Sequence, residues 1–176
     1  PIVLNSSGYE SVEGLEAWAG SADIFLMDLK YGDNETGKGL SRVPDYWDRA
    51  KDAIGYVWRE YGPLQTDPQG KGVKGLLVRH LVLPGMRSNP FAVLEFLAQL
   101  SLEIPVSIMS QYNPCFYRGA VSEMSRALSS EEYEAVLERA ADLGFETVFS
   151  QDMGSPSTYV PDFSQDTPFG DCVRIF

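Results

Sequence analysis

Asp28 and Lys30 stand two residues apart at the end of the apolar run Ile24-Phe25-Leu26-Met27. A run of this kind, opening on a β-branched and an aromatic side chain, reads as a strand covered on both faces. Side chains alternate along a strand, so Asp28 and Lys30 point to one face and Leu29 to the other. A carboxylate and an ammonium at the mouth of a buried strand offset each other's charge, and equally suit a ligand that carries both signs. A structural ion pair would account for them if they stood alone. Three other apolar runs also end in or carry polar residues: Asn5-Ser6-Ser7, Arg79-His80 and Gln111-Tyr112-Asn113.

These four ends must be brought together by the elements that carry them. Pro1–Leu4 reads as a short strand, followed by a helix from about Glu10 to Ala19 that Gly20 ends. After the Asp28/Lys30 strand comes a long polar loop, Tyr31–Val43. A helix then opens near Pro44 and carries the inner stripe Trp47, Ala50, Ile54, Val57, Trp58 and Tyr61 to its stop at Gly62. Asp67-Pro68-Gln69-Gly70 marks a surface turn, with a small hairpin as one reading. The third buried strand runs from Leu76 to Leu83. Ser88 or Asn89 caps the next helix, with Pro90 at its first position. Ile104–Met109 is a fourth strand, and Ser129-x-x-Glu132 is a capping box for the last helix, which ends at Gly144. Phe145–Phe149 is a short fifth strand. Residues 150–176, rich in Pro, Ser and Asp, are expected to be an irregular tail after a single domain over residues 1–149. Strand and helix alternate four times and a strand follows, so the fold class is α/β with a parallel sheet and right-handed crossovers. Chemistry in such architecture gathers beyond the carboxyl ends of the strands, where neighbours lie about 5 Å apart.

Several chemistries are excluded by what is missing. No Gly-x-Gly-x-x-Gly or complete Gly-x-x-x-x-Gly-Lys-Ser/Thr turn follows a strand, so the usual phosphate cradles are not encoded. There is no Gly-x-Ser-x-Gly elbow, and His80 is the one histidine; taken alone it reads as packed or hydrogen-bonded rather than catalytic. Cys115 and Cys172, far apart in sequence, supply no four-ligand metal site, and both thiols are expected to be free in a cytoplasmic setting. The three tryptophans, Trp18, Trp47 and Trp58, lie at core spacing. A net charge of −11 argues against nucleic acid and anionic membrane as partners, and no apolar run is long enough to cross a bilayer.

The strand ends resemble those of a known family. Leu4-Asn5-Ser6-Ser7-Gly8, Leu26-Met27-Asp28-Leu29-Lys30, Val78-Arg79-His80-Leu81-Val82-Leu83-Pro84-Gly85 and Met109-Ser110-Gln111-Tyr112 are similar, in order and spacing, to the radical S-adenosylmethionine superfamily. The nearest branch is that of pyruvate formate-lyase activating enzymes, and the resemblance covers residues 1–149. It implies a partial parallel (β/α) barrel of about four β/α units plus one short strand, a fragment of a (β/α)6 barrel. In such enzymes a [4Fe-4S] cluster on a Cys-x-x-x-Cys-x-x-Cys loop reduces S-adenosylmethionine. The 5′-deoxyadenosyl radical so formed takes hydrogen from a substrate, in activases from a glycyl radical enzyme. By position, Asp28 and Lys30 would touch the amino-acid end of S-adenosylmethionine. Asn5, Ser6, Ser7, Gln111 and Asn113 would complete the cofactor site, and Arg79, His80 and Tyr112 would face substrate. Relatives often carry at the Asn5 position an Asp that helps bind a cation; asparagine keeps an oxygen and loses the charge.

The cluster motif itself is absent, and two cysteines cannot hold a three-cysteine cluster. The resemblance therefore implies the C-terminal portion of a radical enzyme, inert by itself, with the cluster ligands outside this chain. The chain also opens on the strand-like Ile2-Val3-Leu4 with no polar approach. Those residues are expected to form a sheet edge that normally meets an earlier strand, and that here invites an edge-strand dimer of two copies or cover from the C-terminal tail. Two other readings stay open: a self-sufficient half-barrel that binds a small zwitterion, and an α/β enzyme that uses Lys30 as a Schiff-base or proton-transfer residue.

Overall fold

The computed structural model describes residues 1–18 and 20–153. In chain order the elements are β1 (Val3–Ser6), α1 (Val12–Glu16), β2 (Ile24–Asp28), α2 (Asn34–Ser41), α3 (Tyr46–Tyr61), β3 (Gln65–Thr66), β4 (Gly72–Leu81), α4 (Pro90–Leu100), β5 (Val106–Met109), α5 (Ser130–Leu143) and β6 (Val148–Phe149). One six-stranded sheet has the order β1-β2-β4-β5-β6, with β3 paired antiparallel to β4 and every other pair parallel. The protein is thus α/β with a mostly parallel, open sheet. The irregular tail expected over residues 150–176 lies outside the described residues from 154 on.

The strand order increases in one direction, with no reversal. Right-handed crossovers then all fall on one side of the sheet, unlike a doubly wound fold, whose order reverses and places helices on both faces. Burial shows this directly. Phe25, Met27, Leu76, Val78, Val106 and Ile108 are fully buried beneath the helices. Their neighbours on the other face, Leu26, Asp28, Leu77, Arg79 and Ser107, are only partly buried. Register aligns these sets, with Phe25 beside Leu76, Met27 beside Val78 and Asp28 beside Arg79. A one-residue slip of β2 would move Phe25, Met27 and Leu29 out of the core. At about 1.5–3 kcal/mol for each large apolar side chain, that loss rivals the whole stability of a typical domain, so the register is fixed.

Several boundaries differ from those expected. α1 is one short turn and a half rather than a helix from Glu10 to Ala19. Ser11 Oγ caps it by accepting the Gly14 amide at 3.0 Å, but the Trp18 carbonyl already takes the amides of Ser21 and Ala22, which turns the chain back. Leu15 is the residue of α1 that reaches the core, and Trp18, expected to pack, is 48% exposed. Trp47 and Trp58 do pack against the core.

The polar stretch Tyr31–Val43 contains α2, not only loop. Asp33 caps it, Oδ1 accepting the Thr36 amide at 2.6 Å. Its glycines disguise it, since glycine is a poor helix former. Gly37 has a packing reason: an added Cβ would lie 2.8 Å from Tyr46 Cβ, so glycine lets α2 close on α3. β4 begins at Gly72 rather than Leu76 because β3 pairs with its first half. The turn between them is held by Asp67 Oδ1, which accepts the amides of Gln69 and Lys71. The Ser129/Glu132 capping box and the Gly144 stop of α5 stand as expected. Among the described residues β1 is one edge of the sheet, with Ile2 and Val3 59% and 49% exposed. Among the described residues no helix is long and apolar enough to cross a membrane.

Candidate functional site

On the sheet face that no helix covers among the described residues, at the carboxyl ends of β1, β2 and β4, four side chains make one cluster. Asp28 Oδ2 accepts from Lys30 Nζ at 2.8 Å, and Oδ1 accepts from Arg79 Nε at 2.8 Å and Nη2 at 2.6 Å. Arg79 Nη2 also donates to Asn5 Oδ1 at 2.8 Å, which ties the three strands together. A cavity of about 160 Å3 opens beside them, lined by Asp28, Lys30, Arg79, Leu81, Met109 and Gln111. Each carboxylate oxygen has a cationic partner, so the cluster holds two positive groups and one negative.

The backbone that presents Asp28 and Lys30 is shaped from below by Tyr46 at the start of α3. Its buried hydroxyl accepts the Lys30 amide at 2.8 Å and donates to the Ser7 carbonyl at 2.9 Å, with the Asp28 carbonyl 3.1 Å away. Burial pushes the Tyr46 phenol up, so it stays a protonated donor at any working pH. The loop after β1 can reach this latch because residue 8 is glycine. Gly8 has φ +81°, and an added Cβ would sit 2.0 Å from the Asp28 carbonyl oxygen.

The other expected site residues separate into structural and distant ones. Ser6 is buried, its hydroxyl donating to Glu10 and accepting the Gly8 amide, so it organises the turn. Ser7 is exposed and contributes its carbonyl to Tyr46. His80 lies in the next β4 position after Arg79 and therefore points under the helices, not into the cavity. It is fully buried, Nδ1 2.6 Å from the Leu29 carbonyl and Nε2 3.1 Å from Ser88 Oγ. Burial pushes its pKa down to about 4, so it is a neutral imidazole bracing β2 against the turn before α4. The expectation that His80 faces substrate gives way to this bracing role. Tyr112 and Asn113 lie past the end of β5 and line a neighbouring cavity instead. Tyr112 donates to the Met124 carbonyl at 2.6 Å, and Asn113 Oδ1 accepts the Cys115 amide at 2.9 Å.

Tyr46, Leu81 and Met109 belong to the site and were not singled out in the sequence. Leu81 and Met109 follow from the alternation that places Arg79 and Ser107 on the open face. Tyr46 carries no local signal, because its role depends on where α3 crosses the strand ends. No group of three or more His, Cys, Asp or Glu side chains able to hold a metal occurs among the described residues.

No family model matches the chain. An uncharacterized protein of Methanocaldococcus jannaschii, MJ0674, is 29% identical over 150 residues, a span of 85% of this chain. The chain spans 40% of that relative's length, so the similarity concerns less than half of the longer protein.

Proposed function

We propose that the Asp28–Lys30–Arg79 cluster binds the amino-acid end of S-adenosylmethionine, in a chain that forms part of a (β/α)6 barrel. The observation that carries this reading is the pairing of one carboxylate with two cations around a 160 Å3 cavity on the open face. Asp28 Oδ2 suits the ligand's ammonium, Lys30 suits its carboxylate, Arg79 holds Asp28 in place, and the Gln111 amide lies on the same wall. The donor set fits the amino-acid part of the cofactor. It does not fit an iron–sulfur cluster, for which the chain's two cysteines are too few.

When bound and reduced by a cluster, S-adenosylmethionine would supply radical chemistry. This chain's residues do the binding and orienting, and the cluster ligands come from outside it. The resemblance to activating enzymes of glycyl radical enzymes makes a protein substrate the favoured second reactant and the cytoplasm the expected setting. Two further readings are less well supported. A half-barrel that binds a zwitterion without catalysis shares the same pocket. A Schiff-base role for Lys30 finds no support in the geometry. Activation of a lysine calls for desolvation or an unneutralised neighbouring cation, and the Lys30 side chain is 41% exposed and shares the Asp28 carboxylate with Arg79.

The test is titration of this chain with S-adenosylmethionine and, separately, methionine, followed by amide NMR and calorimetry. Shifts centred on Asp28, Lys30, Arg79 and Gln111, lost in Asp28→Asn, are expected. The absence of shifts at millimolar S-adenosylmethionine, or shifts confined to other faces, would refute the assignment. Equal affinity for methionine and S-adenosylmethionine would favour the simple zwitterion binder.

A further inference from the structure

We propose that the chamber beyond Leu81, walled by Tyr31, Leu83, Tyr112, Tyr117 and Met124, receives an uncharged aromatic ring of the second reactant. This rests on the reading of the Asp28 cluster for what lies next door, and on the chamber's own construction for what it accepts.

The chamber measures about 300 Å3 and lies at the same carboxyl-end rim as the charged cluster. Leu81 lines both cavities, so their occupants would be neighbours. Its size is at the lower end for small-molecule pockets, roughly 300–1,000 Å3, which suits one ring system rather than a whole cofactor.

The wall chemistry narrows the class. Three tyrosines meet there, and each hydroxyl is engaged in holding the wall together. Tyr31 bonds Ser41 Oγ at 2.6 Å, Tyr112 donates to the Met124 carbonyl at 2.6 Å, and Tyr117 accepts the Val121 amide at 2.9 Å. The hydroxyls thus fasten α2 and the segment around residues 112–124, and the rings remain to meet a ligand. Edge and face contacts of phenol rings, with a thioether beside them, favour an aromatic guest over an aliphatic one. None of the lining residues carries a charge, so a carboxylate or phosphate would enter without a cationic partner and lose much of its hydration. In a chain of net charge −11 an anionic guest is opposed further.

The experiment uses indole as the probe and benzoate as its charged counterpart, each titrated into the full chain carrying 13C-labelled Leu and Met methyl groups. Indole should give saturable shifts at Leu81, Leu83 and Met124, with benzoate at least tenfold weaker. Leu83→Trp, which fills the chamber, should abolish those shifts. Tyr117→Ala, which removes one wall without adding bulk, should weaken indole at least fivefold; it serves as the second variant if Leu83→Trp does not fold. Shifts spread over methyls throughout the molecule would overturn the proposal, as would equal binding of benzoate or indifference to both variants. So would a dimer that seals the chamber and dissociates on adding indole. Indole binding without any S-adenosylmethionine response at Asp28 would leave this chamber standing and remove the neighbouring assignment. The reverse pattern would do the opposite.

Discussion

Tyr46→Phe tests how the pair of charges at Asp28 and Lys30 is held. The substitution keeps the ring, which packs at 5.2 Å from Tyr31, and removes only the hydroxyl. That hydroxyl accepts one bond, from the Lys30 amide, and donates one, to the Ser7 or the Asp28 carbonyl. Leaving a buried group without its partner costs about 1–3 kcal/mol. The Lys30 amide would bear that cost in full, whereas Ser7 is exposed and its carbonyl can turn to water. The net loss should therefore be about 2–3 kcal/mol. For a chain of this length, at about 2–4 °C per kcal/mol, Tm should fall by roughly 5–10 °C. The latch also sets the distance between Asp28 and Lys30, so affinity for a zwitterion should fall by about tenfold, near the 1.4 kcal/mol that a decade represents. Urea denaturation gives the first quantity and calorimetric titration with S-adenosylmethionine the second. A variant that loses under about 0.5 kcal/mol and binds unchanged would show that the strand end holds its shape without Tyr46.

Three further outcomes follow from particular contacts. Gly8→Ala should destabilise by more than about 2 kcal/mol, since its Cβ would meet the Asp28 carbonyl at 2.0 Å and its φ is +81°; an unchanged urea midpoint would refute this. His80, whose pKa falls to about 4 on burial from an ordinary 6.5, binds its proton more readily when unfolded. Stability is therefore full above pH 6.5 and declines as pH falls toward 4, by on the order of 3 kcal/mol, and His80→Gln should flatten that slope in urea titrations at stepped pH. Glu132, held down to about 2 chiefly by Arg126, loses its contribution only as pH falls from about 4.5 toward 2, so Arg126→Met should lower stability above about pH 4.5, with the gap from wild type closing as urea titrations step down toward pH 2.

What could be read from sequence was whatever strand periodicity governs. Alternation set Asp28 and Lys30 on one face and separated Arg79 from His80, and the parallel order brought Asn5, Asp28 and Arg79 side by side. Beyond the strand ends no period applies. Tyr112 follows Gln111 by one residue, yet it turns away to Met124 because the segment after β5 is shaped by its own side-chain bonds. α2 was hidden by Gly37 and Gly39, whose low helix propensity is overridden by the Asp33 cap and close packing on α3. Tyr46 was invisible for a different reason: its three contacts lie 16, 18 and 39 residues away, and no local pattern encodes such distances.

The two cations on Asp28 are not equivalent, and the difference bears on how a ligand could enter. Arg79 grips Oδ1 through two nitrogens, braces against Asn5 and is 24% exposed. Lys30 makes a single contact to Oδ2 and is 41% exposed. An exposed single-contact pair contributes about 0–1 kcal/mol, whereas loss of a partly buried, hydrogen-bonded partner costs several times that. A zwitterion can then displace Lys30 from Oδ2 with its own ammonium at little cost and offer its carboxylate to the lysine it released, while Arg79 holds Asp28 in place. Lys30→Met should accordingly leave Tm within about 2 °C of wild type yet weaken S-adenosylmethionine binding by about tenfold or more, the arithmetic being that of one charge-assisted bond. Arg79→Met should lower both, because it strips Asp28 of its fixed partner and removes the side-chain tie from β4 to Asn5 of β1. If instead Lys30→Met unfolds the chain while Arg79→Met leaves it stable, the roles of fixed and exchangeable cation are reversed and the entry route drawn from them is wrong.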